Sequence, residues 1–474
     1  MTLSFLQRIS ARLGQLSLAV PASARDDAKL ALLHNLTVAF AARTLSIPGE
    51  LPSNEPARSA GPALLLRDGS HVATHRAVIG NSLLMGARAQ HDEHPGSVAH
   101  FGSVVIPALL ALADTGDLAD GERSGGARLL DAMVLGYQAG AALASVVGPR
   151  STPRGFRPTG LFGPFGGAVA NGIARQSTEP ELAGSLAFAL SGASSFTQVW
   201  RDGSDEWRFQ TAFAARCGFE ASEIARHGAI GAAHALEGPS GFLRSFGDFE
   251  PDDCDAAAAE VLGRLDDDWA IGQLLLKPYP VCAINQAATW QALQLIEQHA
   301  LEAAQVDRVH VRLSPADADY PGIAYSGAPT SWAQAMMSLP HAIATAVVER
   351  TVSFNDLVPP YPAAVTGLAK RVSVLADDGI GGGHAATVEF LLRDGSIVGT
   401  DAPATVPSGW SATADLGTRL GPEHGLGDDG LRSLTEAVRT VDFPGGLQKL
   451  RSVLAELTRV SPPSATPSRS SRIT

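Results

Sequence analysis

The sequence predicts a mainly α-helical protein with an α+β lid, in which both chain ends form one large helical domain and a smaller α+β domain is inserted between them. Three observations predict this fold class. Apolar residues recur at helical spacing through the first 270 residues, strand-like alternation begins near residue 305, and helical patterns return after Pro407. With 474 residues the chain also exceeds what one hydrophobic core usually serves.

The first part of the helical domain is assigned to residues 1–270. Its first core helix is predicted at 22–43, where Leu33, Leu36 and Phe40 recur at helical spacing. Further helical patterns cover 76–90, 102–114, 126–146, 164–175, 180–192, 209–226 and 255–263. These first 270 residues are therefore expected to be almost purely α-helical.

The lid is assigned to residues 271–403. Its octapeptide VDRVHVRL alternates apolar and polar residues, which predicts a half-buried strand at 306–313. Asp394-Gly395 between two apolar runs predicts a β-hairpin. One helix is expected between these strands, at about 331–349. Strand, helix and hairpin together indicate an α+β domain.

The chain then returns to helical patterns in LRSLTEAVRTV and GGLQKLRSVLAELTRV, so residues 404–460 are assigned back to the helical domain. Residues 461–474 are rich in serine and proline and are predicted to be a disordered tail.

Composition argues against several classes of function. The formal net charge of -12 leaves no basic surface for nucleic acid. The three cysteines are too few and odd in number for a disulfide framework, which fits a reducing cytoplasm. The apolar run at 16–20 is too short for a signal peptide, and no membrane span is predicted.

The stretch HDEHPGSVAH, residues 91–100, concentrates three histidines and two acids. Because a proline directly follows His94, the stretch is expected to be a loop, and its spacing gives no metal-ligand geometry. No H-E-x-x-H or paired-cysteine motif occurs elsewhere. We expect no metal here. Acid–base chemistry and a solvated polar loop stay open as alternatives.

Four motifs carry a family resemblance: HFGSVVIPALLALAD, GFRPTGLFGPFG, KPYPVC and SLPHAIATAVVE. In this order they are similar to the MmgE/PrpD family of 2-methylcitrate dehydratases and cis-aconitate decarboxylases, over roughly residues 15–455. The resemblance implies a helical domain built from both chain ends, a smaller lid, a homodimer, and neither a metal nor an organic cofactor. It places the active site between helical domain and lid.

The resemblance also implies which residues form the site. His100 and Lys277 match residues that the family keeps. Without gaps, Gln90 and His94 stand at an aspartate and a threonine of the family's D-x-D-D-T motif. Arg157 replaces the histidine of G-F-H-P-T.

Three further positions follow from the other motifs. Trp207 replaces the lysine of K-R-x-H, with Arg208 kept, and His341 stands where the family has tyrosine. We thus expect His100, Lys277, His94 and His341 to be catalytic, and Arg157, Gln90, Arg208 and Trp207 to bind substrate. Without the resemblance, His341 would be taken for a satisfied core histidine.

The chemistry common to the family removes a proton from the carbon next to a carboxylate, or removes the carboxylate group itself. It needs a base of near-neutral pKa and cations where negative charge grows. His100 is the expected acid or base, with His94 as partner. Arg157 and Lys277 are the cations, and an arginine can hold a carboxylate with two parallel hydrogen bonds.

The expected function is a lyase, foremost a dehydratase, on a small polycarboxylate or hydroxy acid, which could belong to secondary metabolism. An isomerase or epimerase would use the same deprotonation and is the first alternative. A non-catalytic, degenerate relative is the second.

Overall fold

The computed structural model describes residues 3–47, 60–400 and 402–460, so the tail predicted at 461–474 lies outside the described residues. In the helical part before the lid the helices are α1 Phe5–Ser17, α2 Ala22–Ala41, α3 Thr74–Gly86, α4 Gly102–Thr115, α5 Gly125–Ser151, α6 Pro158–Ala174, α7 Glu179–Gly192, α8 Gln198–Asp202, α9 Glu206–Arg226, α10 Phe242–Gly247 and α11 Cys254–Gly263.

In the lid the helices are α12 Gln286–Gln298, α13 Pro315–Ala318, α14 Trp332–Met337, α15 Leu339–Glu349 and α16 Ala363–Ala369. The C-terminal return contributes α17 Trp410–Arg419, α18 Gly421–His424, α19 Gly427–Arg439 and α20 Gly446–Arg459. The strands are β1 Ala60–Leu64, β2 His71–Val72, β3 Val306–Leu313, β4 Val372–Ala376, β5 Thr387–Leu392 and β6 Ile397–Gly399. The predicted fold class is confirmed: the chain is mainly helical with a small α+β part.

The helices begin and end where local chemistry predicts. Thr178 accepts a hydrogen bond from the backbone of Glu181, whose side chain bonds back to Thr178, so α7 opens with a capping box.

Helix α5 is apolar on nearly all sides. The segment Gly125–Arg154 is long and apolar enough to cross a membrane, and 94% of its most apolar window is buried inside the protein, as in a core helix.

The lid sheet has the strand order β4-β3-β5-β6. Strand β3 pairs parallel with β4 and antiparallel with β5, and β5 pairs antiparallel with β6. The predicted hairpin at Asp394-Gly395 is confirmed, since it joins β5 to β6. Val309, Val311 and Leu313 are fully buried, as the alternation in β3 predicts.

Two expectations about secondary structure are wrong. The single helix predicted at 331–349 is two helices, because Ser338 has extended dihedral angles and its Oγ accepts the backbone N–H of His341 to start α15. Pro340 in the first turn of α15 also cannot continue a preceding helix. The first 270 residues are not purely helical, since β1 and β2 form a small antiparallel pair.

Two hydrophobic cores organise the chain. The first takes its residues from 6–271 and from 426–457, so the C-terminal helices pack with the N-terminal ones. The second is centred on the lid and takes most of its residues from 281–390. Burial of one leucine or phenylalanine side chain contributes about 1.5–3 kcal/mol, so both cores are substantial. The domain boundaries at 270 and 403 stay predictions.

The two parts meet where side chains of the helical part join the second core. Trp200 and Trp207 belong to that core although α8 and α9 carry them. A backbone bridge also joins Glu93 to Leu275, with both N–H groups bonded to the opposite carbonyl at 3.0 and 2.8 Å. These contacts frame a cleft.

Candidate active site

The cleft between the helical part and the lid has about 460 Å³ of empty space, part of it open to solvent. Seven ionisable side chains line it: His91, Glu93, His100, Arg157, Lys277, Cys282 and Tyr320. Three of the predicted site residues, His100, Arg157 and Lys277, thus lie together. They come from three distant stretches of the sequence that the fold brings to one place.

The stretch after α3 lines the cleft with alternate residues. Ala89, His91 and Glu93 face it, whereas Gln90 and Asp92 do not. An extended chain turns successive side chains to opposite sides, which explains the alternation. The stretch therefore contributes His91 and Glu93 to the cleft, whereas alignment with the family motif indicates Gln90 and His94.

Gln90 and His94 were expected in the site and lie outside the cleft lining. Gln90 accepts a hydrogen bond from Arg88 Nε at 2.8 Å and donates to the carbonyl of Pro278 at 3.1 Å. His94 Nδ1 lies 2.9 Å from Ser97 Oγ. Both side chains are used to hold the loop, because they are on the face of the stretch turned away from the cleft.

One ring nitrogen of His100 is held by a backbone carbonyl group. Its Nδ1 lies 2.9 Å from the carbonyl oxygen of Asp92, which can only accept, so Nδ1 carries the proton and Nε2 carries the lone pair. Burial, then the charges of Lys277 and Arg157, hold the pKa of His100 well below its usual value. His100 is therefore a neutral base at neutral pH.

Gly102 at the start of α4 makes this arrangement possible. A Cβ at this position would overlap Asp92 Oδ1, Asn35 Nδ2 and Tyr137 Oη. The Asp92 carboxylate accepts the Tyr137 hydroxyl at 2.7 Å in that space. The glycine thus lets Asp92 anchor beneath His100.

His91 was not among the predicted site residues, yet its ring packs against His100, with 4.2 Å between ring centroids. Among the described residues neither of its buried ring nitrogens has a hydrogen-bond partner. Burial first, then the neighbouring His100 and Lys277, hold its pKa well below the usual value. His91, and not His94, is the histidine beside His100.

Arg157 is the residue before α6 and is 3% exposed. Its Nη1 donates to the carbonyl of Trp207 at 2.5 Å and to Gln210 at 3.1 Å, and its guanidinium lies 4.9 Å from the Trp200 ring. Burial lowers the pKa of Arg157 to about 10. Within the described residues no carboxylate lies within 4.0 Å of this charge.

Lys277 is 1% exposed at the start of KPYPVC. Burial lowers the pKa of its amine to about 8, although the charge of Glu93 opposes the shift. Most of the amine is therefore protonated at pH 7. It too has no carboxylate within 4.0 Å in the part of the chain that the structure describes.

A buried chain of charges adjoins the cleft and was not predicted. Glu93 Oε1 lies 3.2 Å from His384 Nε2, and His384 Nδ1 lies 2.8 Å from Asp317 Oδ1. Burial alone would lower the pKa of His384, but the charge of Glu93 and the hydrogen bond to Asp317 raise it to about 10. Because both ring nitrogens face carboxylates, the ring is an imidazolium.

The remaining wall of the cleft is largely apolar. Trp200 and Trp207 line it, and the Trp207 ring stacks on Trp332 with 5.5 Å between centroids. Met336 and Met337 close the lid side. The tryptophan predicted to bind substrate thus lies in the cleft.

Two other predicted residues lie elsewhere. Arg208 pairs with Asp205 at 2.7 Å, and its guanidinium lies against Trp207 from outside the cleft. His341 is fully buried and packs edge-on against Tyr361 with 4.4 Å between centroids. Burial lowers its pKa to about 4. Neither lines the cleft.

In the described ranges no group of three or more His, Cys, Asp or Glu side chains is arranged to hold a metal ion.

Comparison with known proteins adds two family matches. The MmgE/PrpD N-terminal domain matches residues 16–253, and the MmgE/PrpD C-terminal domain matches residues 279–406. These ranges contain every ionisable residue of the cleft except Lys277, which lies just before the second range.

Among curated proteins, the cis-aconitate decarboxylase of Aspergillus terreus is 24% identical over 283 residues, which is 58% of this chain and 57% of that protein. The cis-aconitate decarboxylase-like protein oryM of Aspergillus oryzae is 25% identical over 239 residues, 49% of each chain. The chain thus spans about half the length of the curated relatives it matches.

Proposed function

Since the chain belongs to the MmgE/PrpD family, we propose that it is a lyase of the dehydratase or decarboxylase type that acts on a small carboxylic acid. The reaction begins with loss of a proton, or of CO2, beside a carboxylate. One observation carries the proposal. Two buried cations, Arg157 and Lys277, have no carboxylate within 4.0 Å among the described residues and face the same cleft as His100, a neutral base.

Substrate binding follows from the cost of burying charge. A buried guanidinium without a counter-ion is unfavourable, and a substrate carboxylate would supply that counter-ion. Arg157 uses Nη1 for protein carbonyl and amide oxygens, and the rest of its fork is available for a carboxylate.

In the dehydratase form, His100 Nε2 takes the proton from the carbon next to the bound carboxylate. The C–H electron pair forms an enolate whose charge Lys277 stabilises. The electrons then form a C=C bond as the C–O bond breaks, and the leaving hydroxide takes a proton from the Lys277 ammonium to give water. His100 and Lys277 regain their first protonation states by exchange with solvent.

In the decarboxylase form, a C–C bond breaks and its electron pair stays on the substrate as CO2 leaves. The resulting carbanion takes one proton from Lys277. The similarity of the chain to the cis-aconitate decarboxylase of Aspergillus terreus supports this form.

An isomerase or epimerase is the second candidate. It is favoured by the presence of a neutral base, His100, and a protonated amine, Lys277, in one cleft. His100 would remove the proton, and Lys277 would return a proton to the opposite face.

Incubation of the protein with a panel of small carboxylic acids in deuterated buffer, followed by mass spectrometry and NMR, tests the proposal. A lyase gives a new unsaturated or decarboxylated product. An epimerase gives deuterium exchange without such a product. A degenerate, non-catalytic relative gives neither result, which would contradict the proposal.

A further inference from the structure

One carboxylate of the cleft has no part in the reaction proposed above. Glu93 is fully buried and lines the cleft. Its Oε1 is engaged by His384, whereas its Oε2 is buried with no hydrogen-bond partner among the described residues. A buried acceptor that is left unpaired is unfavourable, so this oxygen favours a ligand that carries a donor.

His384 and Asp317 hold the Glu93 side chain in place. The His384 imidazolium donates to Glu93 on one side and to Asp317 on the other. Since His384 satisfies one oxygen of Glu93, Lys277 is left without a carboxylate within 4.0 Å in the described residues. The amine stays available for the substrate.

The charges that line the cleft set the charge of its ligand. Arg157 and Lys277 contribute two positive charges and Glu93 contributes one negative charge. Burial from solvent makes an unbalanced charge costly, so a ligand with one carboxylate matches the lining better than one with two or three.

The shape and chemistry of the wall set the rest of the ligand. Trp200, Trp207, Met336 and Met337 line the cleft with largely apolar side chains, apart from the indole N–H groups of the two tryptophans. A carbon substituent against these side chains would be stabilised by the apolar area that it buries. A second carboxylate there would lose its water without a cation to replace it.

We propose that the substrate is a hydroxy monocarboxylic acid with an apolar substituent. Its carboxylate lies at Arg157 and Lys277, its hydroxyl donates to Glu93 Oε2, and its substituent lies against Trp200 and Trp207. This inference rests on the proposed function, because the hydroxyl is the group that a dehydratase would expel. It makes Glu93 the residue that determines specificity for the hydroxyl.

Calorimetric binding of three acids that share one phenylpropionate skeleton tests this inference. β-Hydroxy-β-phenylpropionate has one carboxylate and a hydroxyl on the carbon from which a dehydratase expels it, phenylpropionate lacks the hydroxyl, and phenylsuccinate has a second carboxylate in its place. We expect β-hydroxy-β-phenylpropionate to bind roughly tenfold or more tightly than either of the others, as a hydrogen bond to a charged acceptor provides.

The variant Glu93→Gln identifies the source of that preference. An amide accepts a hydrogen bond without the charge, so the preference for β-hydroxy-β-phenylpropionate over phenylpropionate should fall to about threefold or less. Glu237→Gln is the matched control, since Glu237 is a buried carboxylate that also pairs with a histidine, His234, outside the cleft. The Glu237→Gln variant should prefer the acid with the hydroxyl by the same factor as the unmodified protein.

Three outcomes would overturn the inference: equal or tighter binding of phenylsuccinate, a hydroxyl preference that survives in a folded Glu93→Gln variant, or no binding of any of the three acids. Binding needs no turnover, so the two proposals fail separately. A protein that prefers β-hydroxy-β-phenylpropionate but transforms no acid contradicts the lyase, whereas one that transforms only polycarboxylates contradicts this substrate class.

Discussion

The ionisation states of single residues carry the chemistry of the cleft. His100 is neutral because burial and two neighbouring cations oppose a further positive charge. The Lys277 amine is mostly protonated at pH 7, because the charge of Glu93 partly offsets the lowering of its pKa by burial. A neutral base and a protonated amine therefore face one ligand, as proton transfer to and from carbon requires.

Arg157→Lys should weaken substrate binding more than turnover. A single ammonium cannot reproduce the two-point contact of a guanidinium with a carboxylate, so KM should rise about tenfold or more while kcat falls less. Steady-state kinetics on an acid found by the panel measures both. Arg175→Lys is the control, because Arg175 is a largely buried arginine already paired with Asp117 and Glu223. An unchanged KM for Arg157→Lys would make Arg157 a structural residue.

At the scale of elements, the sequence predicted which stretches form the site but not every side chain within them. Motif position identified His100, Arg157 and Lys277, which begin or precede regular elements. It failed in the stretch after α3, where alternation turns His91 and Glu93 into the cleft and Gln90 away. The proline after His94 already indicated an extended chain, so this alternation was a usable signal.

His384 could not be predicted, because 291 residues separate it from Glu93 and it follows a glycine-rich loop without a recognised motif. Only the folded lid brings it to α13 and to the stretch after α3. Long-range ion pairs between parts of a fold have no local pattern in a sequence.

The His384 chain should make stability depend on pH. Its folded pKa of about 10 lies above the unfolded value of 6.5, so its stabilisation is complete below pH 6.5 and is lost as pH rises towards 10. The difference in Tm between unmodified protein and His384→Gln should therefore shrink across this range. His310→Gln, a half-exposed lid histidine 4.0 Å from Glu389, is the control and should show little change. A constant difference for His384→Gln would contradict the charged chain.

At the scale of the whole molecule, helical and strand periodicity sufficed to predict a helical protein with an α+β lid. The C-terminal helices α19 and α20 do pack into the first core, as the order of patterns indicated. Strand β4 was missed because its five residues are too short to give a clear alternation, and its parallel pairing with β3 is set by the intervening helices.

We propose that the protein is a homodimer with its contacts on the helical part. Phe196, Phe213 and Ile224 are about half exposed near α9, and burial of such side chains against a second copy would favour association. Sedimentation velocity at micromolar concentration should show a dimer, and Phe213→Asp should shift it towards monomer. A monomer of the unmodified protein would contradict this proposal.

The central claim is that His100 removes a proton next to a bound carboxylate while Lys277 stabilises the charge that develops. The most direct measurement compares turnover and deuterium incorporation in unmodified protein, His100→Gln and Lys277→Met, on one acid from the panel. We predict folded variants that lose on the order of a hundredfold or more in rate, with a similar Kd for His100→Gln and a smaller loss of affinity for Lys277→Met, since the Lys277 amine also contacts the carboxylate. Losses under about tenfold in both folded variants would contradict the account.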